Sequence, residues 1–129
     1  MIGISNVSPA QLAELCAKAA VKPMVVQNRC YAALGWDREV REFCRAQGLV
    51  YQGFSLLTAN QDVLMDPALR GIARRLGAGV AQVVFRFAQQ IGMLPLTGTT
   101  DAEHMKEDLK AEQFTLTDED LRTIETIAL

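Results

Sequence analysis

The chain has 129 residues, 50% of them apolar and 22% charged, with nine glycines and four prolines. That composition excludes a disordered, collagenous or low-complexity polymer and predicts one globular domain over residues 1–129. Thirteen basic and fifteen acidic side chains give a formal charge of −2, which leaves no basic footprint for nucleic acid.

Ile2 to Ile4 reads as a short strand. Ser8-Pro9-Ala10-Gln11 then supplies an N-cap, a proline at the first helical position and a capping-box glutamine. Leu12, Leu15, Cys16 and Ala19 follow at helical spacing as a buried stripe. Pro23 separates this helix from Met24-Val25-Val26, a second strand. Asp37 is the expected cap of a helix whose inner face is Val40, Phe43 and Cys44, and Gly48 closes it in the left-handed conformation. Leu49-Val50-Tyr51-Gln52-Gly53 is a third strand, followed by a loop of small and polar residues from Ser55 to Met65. Asp66-Pro67 opens a helix with Leu69, Ile72, Ala73 and Leu76 inside and Gly77 at its end. A further helix carries Val80, Val83, Val84, Phe87 and Ile91 up to Gly92.

Met93-Leu94-Pro95-Leu96 is a fourth strand, weakened by Pro95, which has no N–H for a ladder. Thr100 with Glu103, and Thr117 with Asp120, open two last helices, the second burying Leu121, Ile124 and Ile127. Short strands each followed by helix predict parallel pairing with right-handed crossovers, hence an α/β architecture. The length is about half of the ~250 residues typical of a closed α/β barrel.

Cys16, Cys30 and Cys44 form no CxxC pair and leave one thiol over in any disulfide scheme, so reduced thiols in a cytoplasmic protein and no metal site are expected. The first residues lack the basic start and apolar stretch of a signal peptide, and no uncharged window approaches ~20 residues. Neither export nor membrane insertion is expected.

The single histidine, His104, falls near a helix start and no serine elbow or cysteine nucleophile context occurs, which speaks against a nucleophilic hydrolase. The segment Leu96-Thr97-Gly98-Thr99-Thr100-Asp101 follows a strand and opens a helix. Its free N–H groups suit a phosphate, or Thr100 is simply a cap and Gly98 a turn residue. Neither a Walker lysine nor a G-x-G-x-x-G string is present. Ser5-Asn6, Gln27 and Gly53-Phe54-Ser55 stand at the C-terminal ends of the other strands, the ligand side of a parallel α/β fold. Amide and hydroxyl groups there suit a carboxamide and Phe54 a flat ring; equally, Phe54 fits a core and Asn6 a turn.

Ile2-Gly3-Ile4-Ser5-Asn6-Val7-Ser8, the Pro23 to Gln27 strand, Gly53-Phe54-Ser55-Leu56-Leu57 and Leu94-Pro95-Leu96-Thr97-Gly98-Thr99-Thr100, in this order and spacing, resemble the C-terminal half of the aldo-keto reductases. Asp66-Pro67-Ala68-Leu69 and the Glu103 to Leu109 helix add to the likeness, which covers essentially the whole chain. The resemblance implies half of a (β/α)8 barrel, strands five to eight, from enzymes that pass a hydride from NAD(P)H to an aldehyde or ketone. It implies that Ser5, Asn6 and Gln27 hold the nicotinamide carboxamide and Phe54 stacks on the nicotinamide ring. Leu57 would line the pyrophosphate path, Thr97 would contact the adenosine phosphate, and Glu107 would stand near the adenine amino group.

Leu96, His104 and Asp108 replace the family's frequent lysine, arginine and asparagine, and Val26 replaces an asparagine. The loss of two positive partners implies little preference for the phosphorylated cofactor. The family's catalytic aspartate, tyrosine, lysine and histidine belong to the N-terminal half, and Tyr31 and Tyr51 match neither that tyrosine nor its setting. Tyr51 is expected to be structural, and the loop carrying Arg29, Cys30 and Tyr31 has no assigned role.

Three functions follow. The first is a piece of a reductase whose chemistry needs the other half, with NAD(P)H bound weakly or not at all. The second is a nucleotide-binding module without catalysis, and the third a self-associating interaction protein. Open sheet edges and an uncovered inner face predict a homodimer or pairing with a complementary N-terminal half, with Ile2, Ile4, Val25, Leu94 and Leu96 as the apolar contacts.

Overall fold

Residues 2–96 and 113–129 are described in the computed structural model of the chain. Thr97, Gly98, Thr100, Glu103, His104, Glu107 and Asp108, and with them the expected helix after the fourth strand, lie outside the described residues.

Strands β1 (Gly3–Ser5), β2 (Val25–Arg29), β3 (Val50–Phe54) and β4 (Leu94–Pro95) form one parallel sheet in the order β1-β2-β3-β4. The helices are α1 (Pro9–Lys18), α2 (Arg38–Gln47), the single turn α3 (Gln61–Leu64), α4 (Pro67–Leu76), α5 (Val80–Gln90) and α6 (Asp118–Glu125). Among the described residues the elements follow the expected order, with α3 as an added turn inside the Ser55 to Met65 loop.

Local chemistry sets most boundaries. The Ser8 hydroxyl accepts from the Gln11 N–H while the Gln11 side chain accepts from the Ser8 N–H, a complete capping box with Pro9 at the first helical position. Asp66 accepts from the Ala68 N–H at the start of α4. Thr117 and Asp120 close the same kind of box on α6. Gly48 and Gly77 end α2 and α4 in the left-handed region, at φ 71 and φ 64. β2 runs three residues beyond Val26, because its length is set by pairing with β3 from Val25↔Val50 to Arg29↔Phe54 and not by hydropathy. β4 is two residues long, as a proline in the ladder dictates.

Alternation along the strands gives the sheet two unlike faces. Val26, Asn28, Cys30, Tyr51 and Gly53 are buried toward the helices, where Leu12, Val40, Cys44, Val83, Phe87 and Ile124 complete the core. Ser5, Gln27 and Gln52 point the other way, with half-buried Val25 and exposed Val50 below them and Arg29 and Phe54 above. Ile4 packs against the helix-side core, which corrects its expected place on the open face.

Trp36 is the largest fully buried side chain. Its ring lies 5.3 Å from that of Phe87, and its Nε1 donates to the Ile124 carbonyl at 2.8 Å, fixing α6 on the sheet's helical side. Arg41, also buried, donates to the carbonyls of Gly35 and Trp36 and to Glu125 at 2.7–3.0 Å. The same guanidinium thus holds the loop before α2 and ties it to α6.

Candidate functional site

Three concavities lie on the open face and in the loops that follow the strands. A shallow hollow on the open face is lined by Gly3, Ile4, Ser5, Val25, Gln27 and Gln52. A cleft of about 440 Å³ lies beside Asn6, Ser8, Gln11, Arg29, Tyr31 and Asp37, and another of about 430 Å³ is formed by Phe54 to Thr58 with Phe85 and Leu96. Ser5, Asn6 and Gln27 come together as expected: Ser5 pairs with Gln27 in register, and the Asn6 N–H donates to the Gln27 carbonyl at 3.0 Å. Phe54 is half-buried rather than core, and Leu57 lines the same cleft.

Non-glycine residues with positive φ occur in the loops that follow β1, β2 and β3: Asn6 (55°), Trp36 (58°), Asp37 (58°) and Ser55 (57°). Such backbone costs about 1–3 kcal/mol for each residue and persists only where surrounding contacts impose it. Two buried amides supply those contacts. The Asn28 Oδ1 accepts from the Val7 N–H at 2.9 Å, while its Nδ2 donates to the Val7 carbonyl and to Asp37 Oδ2, both at 2.8 Å. Asn60 donates to the carbonyls of Cys30 and Leu56 at 2.8 Å and accepts from the Ala32 N–H at 2.7 Å. The loops after β1, β2 and β3 are therefore bolted together through side chains.

Asp37 corrects one expectation. It sits at the N-cap position of α2, but its side chain makes no cap bond. The carboxylate turns inward and accepts from Asn28 and from the Tyr51 hydroxyl at 2.7 Å. Burial first, with the nearby Cys30 and Asp37, pushes the Tyr51 hydroxyl well above its ordinary value. Burial likewise raises the Cys30 thiol to about 12 and the Cys44 thiol to about 11. Both thiols stay protonated at neutral pH, and all three cysteines are buried and unbridged.

Gln52 went unassigned in the sequence, yet its Oε1 accepts from Gln27 Nε2 at 3.1 Å. Alternation from Tyr51 and Gly53 puts Gln52 on the open face, but its meeting with Gln27 depends on the register of two distant strands. Arg29 also gains a position: its guanidinium lies over Phe54, 6.0 Å from the ring centroid. Thr97 and Glu107 lie outside the described residues.

The donor set suits a nicotinamide dinucleotide. Among the described residues, the Ser5 hydroxyl and the Asn6 side-chain amide make no hydrogen bond, which leaves groups of the kind a carboxamide requires. Within the Phe54 cleft, the N–H groups of Leu56, Leu57 and Thr58 donate to no acceptor among the described residues, an arrangement suited to phosphate oxygens. Among the described residues no group of three metal-ligating side chains occurs, and no helix is long and apolar enough to cross a membrane.

The model of the aldo/keto reductase family matches residues 1–129. The chain belongs to the aldo/keto reductase family. It is 30% identical over 128 residues to the 9,11-endoperoxide prostaglandin H2 reductase of Trypanosoma cruzi, covering 98% of this chain and 45% of that protein. It is 31% identical over 126 residues to the glyoxal reductase of Bacillus subtilis, again covering 98% of this chain and 45% of the relative. The crystal structure of an aldo/keto reductase from Brucella melitensis superposes with a TM-score of 0.86 at 26% identity, over 99% of this chain and 48% of that one. This aldo/keto reductase chain thus spans about half the length of the curated relatives it matches.

Proposed function

We propose that the chain is the cofactor-binding half of an NAD(P)H-dependent carbonyl reductase, corresponding to strands five to eight of a (β/α)8 barrel. The observation that supports this reading is that Ser5 and Gln27 are paired on the open face with Asn6 bonded to the Gln27 carbonyl, while Phe54, two residues beyond Gln52 on the same face, lines a cleft with open backbone N–H groups. Ser5, Asn6 and Gln27 would hold the carboxamide, with Gln52 fixing the Gln27 amide, and Phe54 would support the ring. Leu57 and its neighbours would face the pyrophosphate, and Thr97 and Glu107 the adenosine end. A bound nicotinamide supplies a hydride for a carbonyl carbon.

Protonation of the developing alkoxide needs a positioned acid. Tyr51 is buried, raised in pKa and committed to Asp37, and the cleft around the exposed Tyr31 is lined by no lysine among the described residues. On this reading the catalytic aspartate, tyrosine, lysine and histidine belong to the other half of the barrel, and this chain by itself is expected to reduce no small aldehyde.

Half the enclosure implies binding on the order of 0.1–1 mM, roughly 4–5.5 kcal/mol. Calorimetric titration with NADH and NADPH tests this. Saturable binding of both within about tenfold supports the reading, and no heat up to ~5 mM contradicts it.

Self-association is a second reading, favoured by the exposed apolar side chains on the open face, Val50 at 47% and Leu94 at 48%. The partner would be a second copy or a complementary half. Sedimentation equilibrium over a hundredfold range of concentration should reveal a dimer; a monomer throughout contradicts a homodimer.

A further inference from the structure

We propose that Arg29 makes this site discriminate between the redox forms of a nicotinamide, holding the neutral reduced ring more tightly than the cationic oxidised one. The inference rests on the reading that Phe54 meets the nicotinamide ring. Arg29 and Phe54 are direct partners in the β2–β3 register and lie on the open face above Gln27 and Gln52. The guanidinium over the Phe54 ring joins the two larger clefts, since Arg29 lines one and Phe54 the other.

Arg38, Arg41 and Arg75 are paired with Glu42, Glu125 and Asp120, whereas Arg29 makes no ion pair among the described residues. The other charged residue of its cleft, Asp37, turns to the helix side of β2, where Asn28 and Tyr51 occupy its carboxylate. The Phe54 cleft is lined by no charged residue.

A ring stacked on Phe54 lies within about 10 Å of the guanidinium whichever face it uses. The oxidised nicotinamide ring carries a full positive charge and the reduced ring none. Repulsion between unit charges at that separation, in a partly exposed site, weakens the oxidised form by about two- to tenfold. The pyrophosphate and adenosine are common to both forms, so any attraction of Arg29 for the phosphates cancels in the ratio of affinities. The consequence is a site that loads with reduced cofactor and releases the oxidised product.

The test measures that ratio. NADH is titrated into the chain by its own fluorescence, and NAD+ is measured by displacing it, both at low ionic strength. In Arg29→Gln the preference for NADH over NAD+ should fall by about two- to tenfold relative to the wild type. Arg29→Glu should lower it further, Arg29→Lys should retain it, and salt near 0.5 M (~3–5 Å screening) should erase most of the difference. A ratio equal in the wild type, Arg29→Gln and Arg29→Glu overturns the proposal, including when both affinities change together. If the wild-type chain binds neither form, the cofactor reading itself falls and takes this inference with it, a result distinguishable from an unchanged ratio.

Discussion

The two faces of this sheet are built from alternate residues of the same strands, yet they obey different constraints. On the helix side, polar groups that enter are mostly answered among the described residues, the Arg86 Nε being the one buried side-chain atom left without a partner: Asn28 and Tyr51 share the Asp37 carboxylate, Trp36 Nε1 meets Ile124, and Arg41 meets Glu125. On the open side, Ser5 and Asn6 keep their side-chain groups unbonded among the described residues, and Arg29 keeps its charge. Buried polar groups cost stability unless partnered, so the closed face is fixed by folding. The open face is exempt from that constraint, and its residues are free to serve a ligand or a partner.

The comparison breaks first if the closed face tolerates change. Trp36→Ala should cost about 3–5 kcal/mol, since it removes a fully buried ring packed on Phe87 and the bond to α6. Urea unfolding measures it; a loss below ~1 kcal/mol would mean that Trp36 does not organise this side. Asp37→Ala should cost about 2–4 kcal/mol by stranding the donors of Asn28 and Tyr51. Tyr51→Phe should cost less, about 1–2 kcal/mol, because Asp37 then keeps Asn28.

A smaller effect comes from Asp120 at the start of α6. Burial alone would raise its pKa, but hydrogen bonds from Thr117 and Arg75 outweigh burial and hold it below the usual carboxylate value. The unfolded chain therefore takes up this proton first as the pH falls. The stabilisation is complete above the unfolded value near ~3.9 and is lost as pH drops through it toward the folded value. Asp120→Asn should remove that acid-dependent component and cost about 0.5–2 kcal/mol at neutral pH, as loss of a cap does. Unfolding free energies from pH 3 to 7, a window of ~4 units around the ordinary Asp value, check both parts.

The smallest stability effects belong to the open face. Gln27→Ala and Gln52→Ala should each change stability by no more than about 0.5 kcal/mol while weakening dinucleotide binding. A large loss of stability in either would show that the open face is structural too.

Most of the fold was legible in the sequence because its signals are local. Ser8-Pro9-Ala10-Gln11, Asp66-Pro67 and Thr117 to Asp120 each specify a cap within four residues, and those caps form. Ser5 and Phe54 end β1 and β3 as expected, whereas Gln27, expected at a strand end, falls in the middle of β2 because pairing with β3 carries that strand on to Arg29. What escaped depends on distant register. Asp37 reads as a cap until Asn28 and Tyr51 compete for its carboxylate, and Ile4 reads as open-face until β1 is laid against its helices. Gln52 and Asn60 had no reading of their own and Arg29 stood in a loop without an assigned role, since each acquires its role from a partner in another loop or strand.

The central claim is that the open face, and not the helix side, takes a nicotinamide dinucleotide. Amide and side-chain NMR spectra of the chain titrated with NADH test it most directly. The account predicts saturable shifts at Ser5, Asn6, Gln27, Arg29, Gln52 and Phe54 to Thr58, and at Thr97 and Glu107 for the adenosine end, with Leu12, Val40, Cys44 and Ile124 unmoved. Shifts concentrated among the helix-side residues, or none at millimolar NADH, would contradict it.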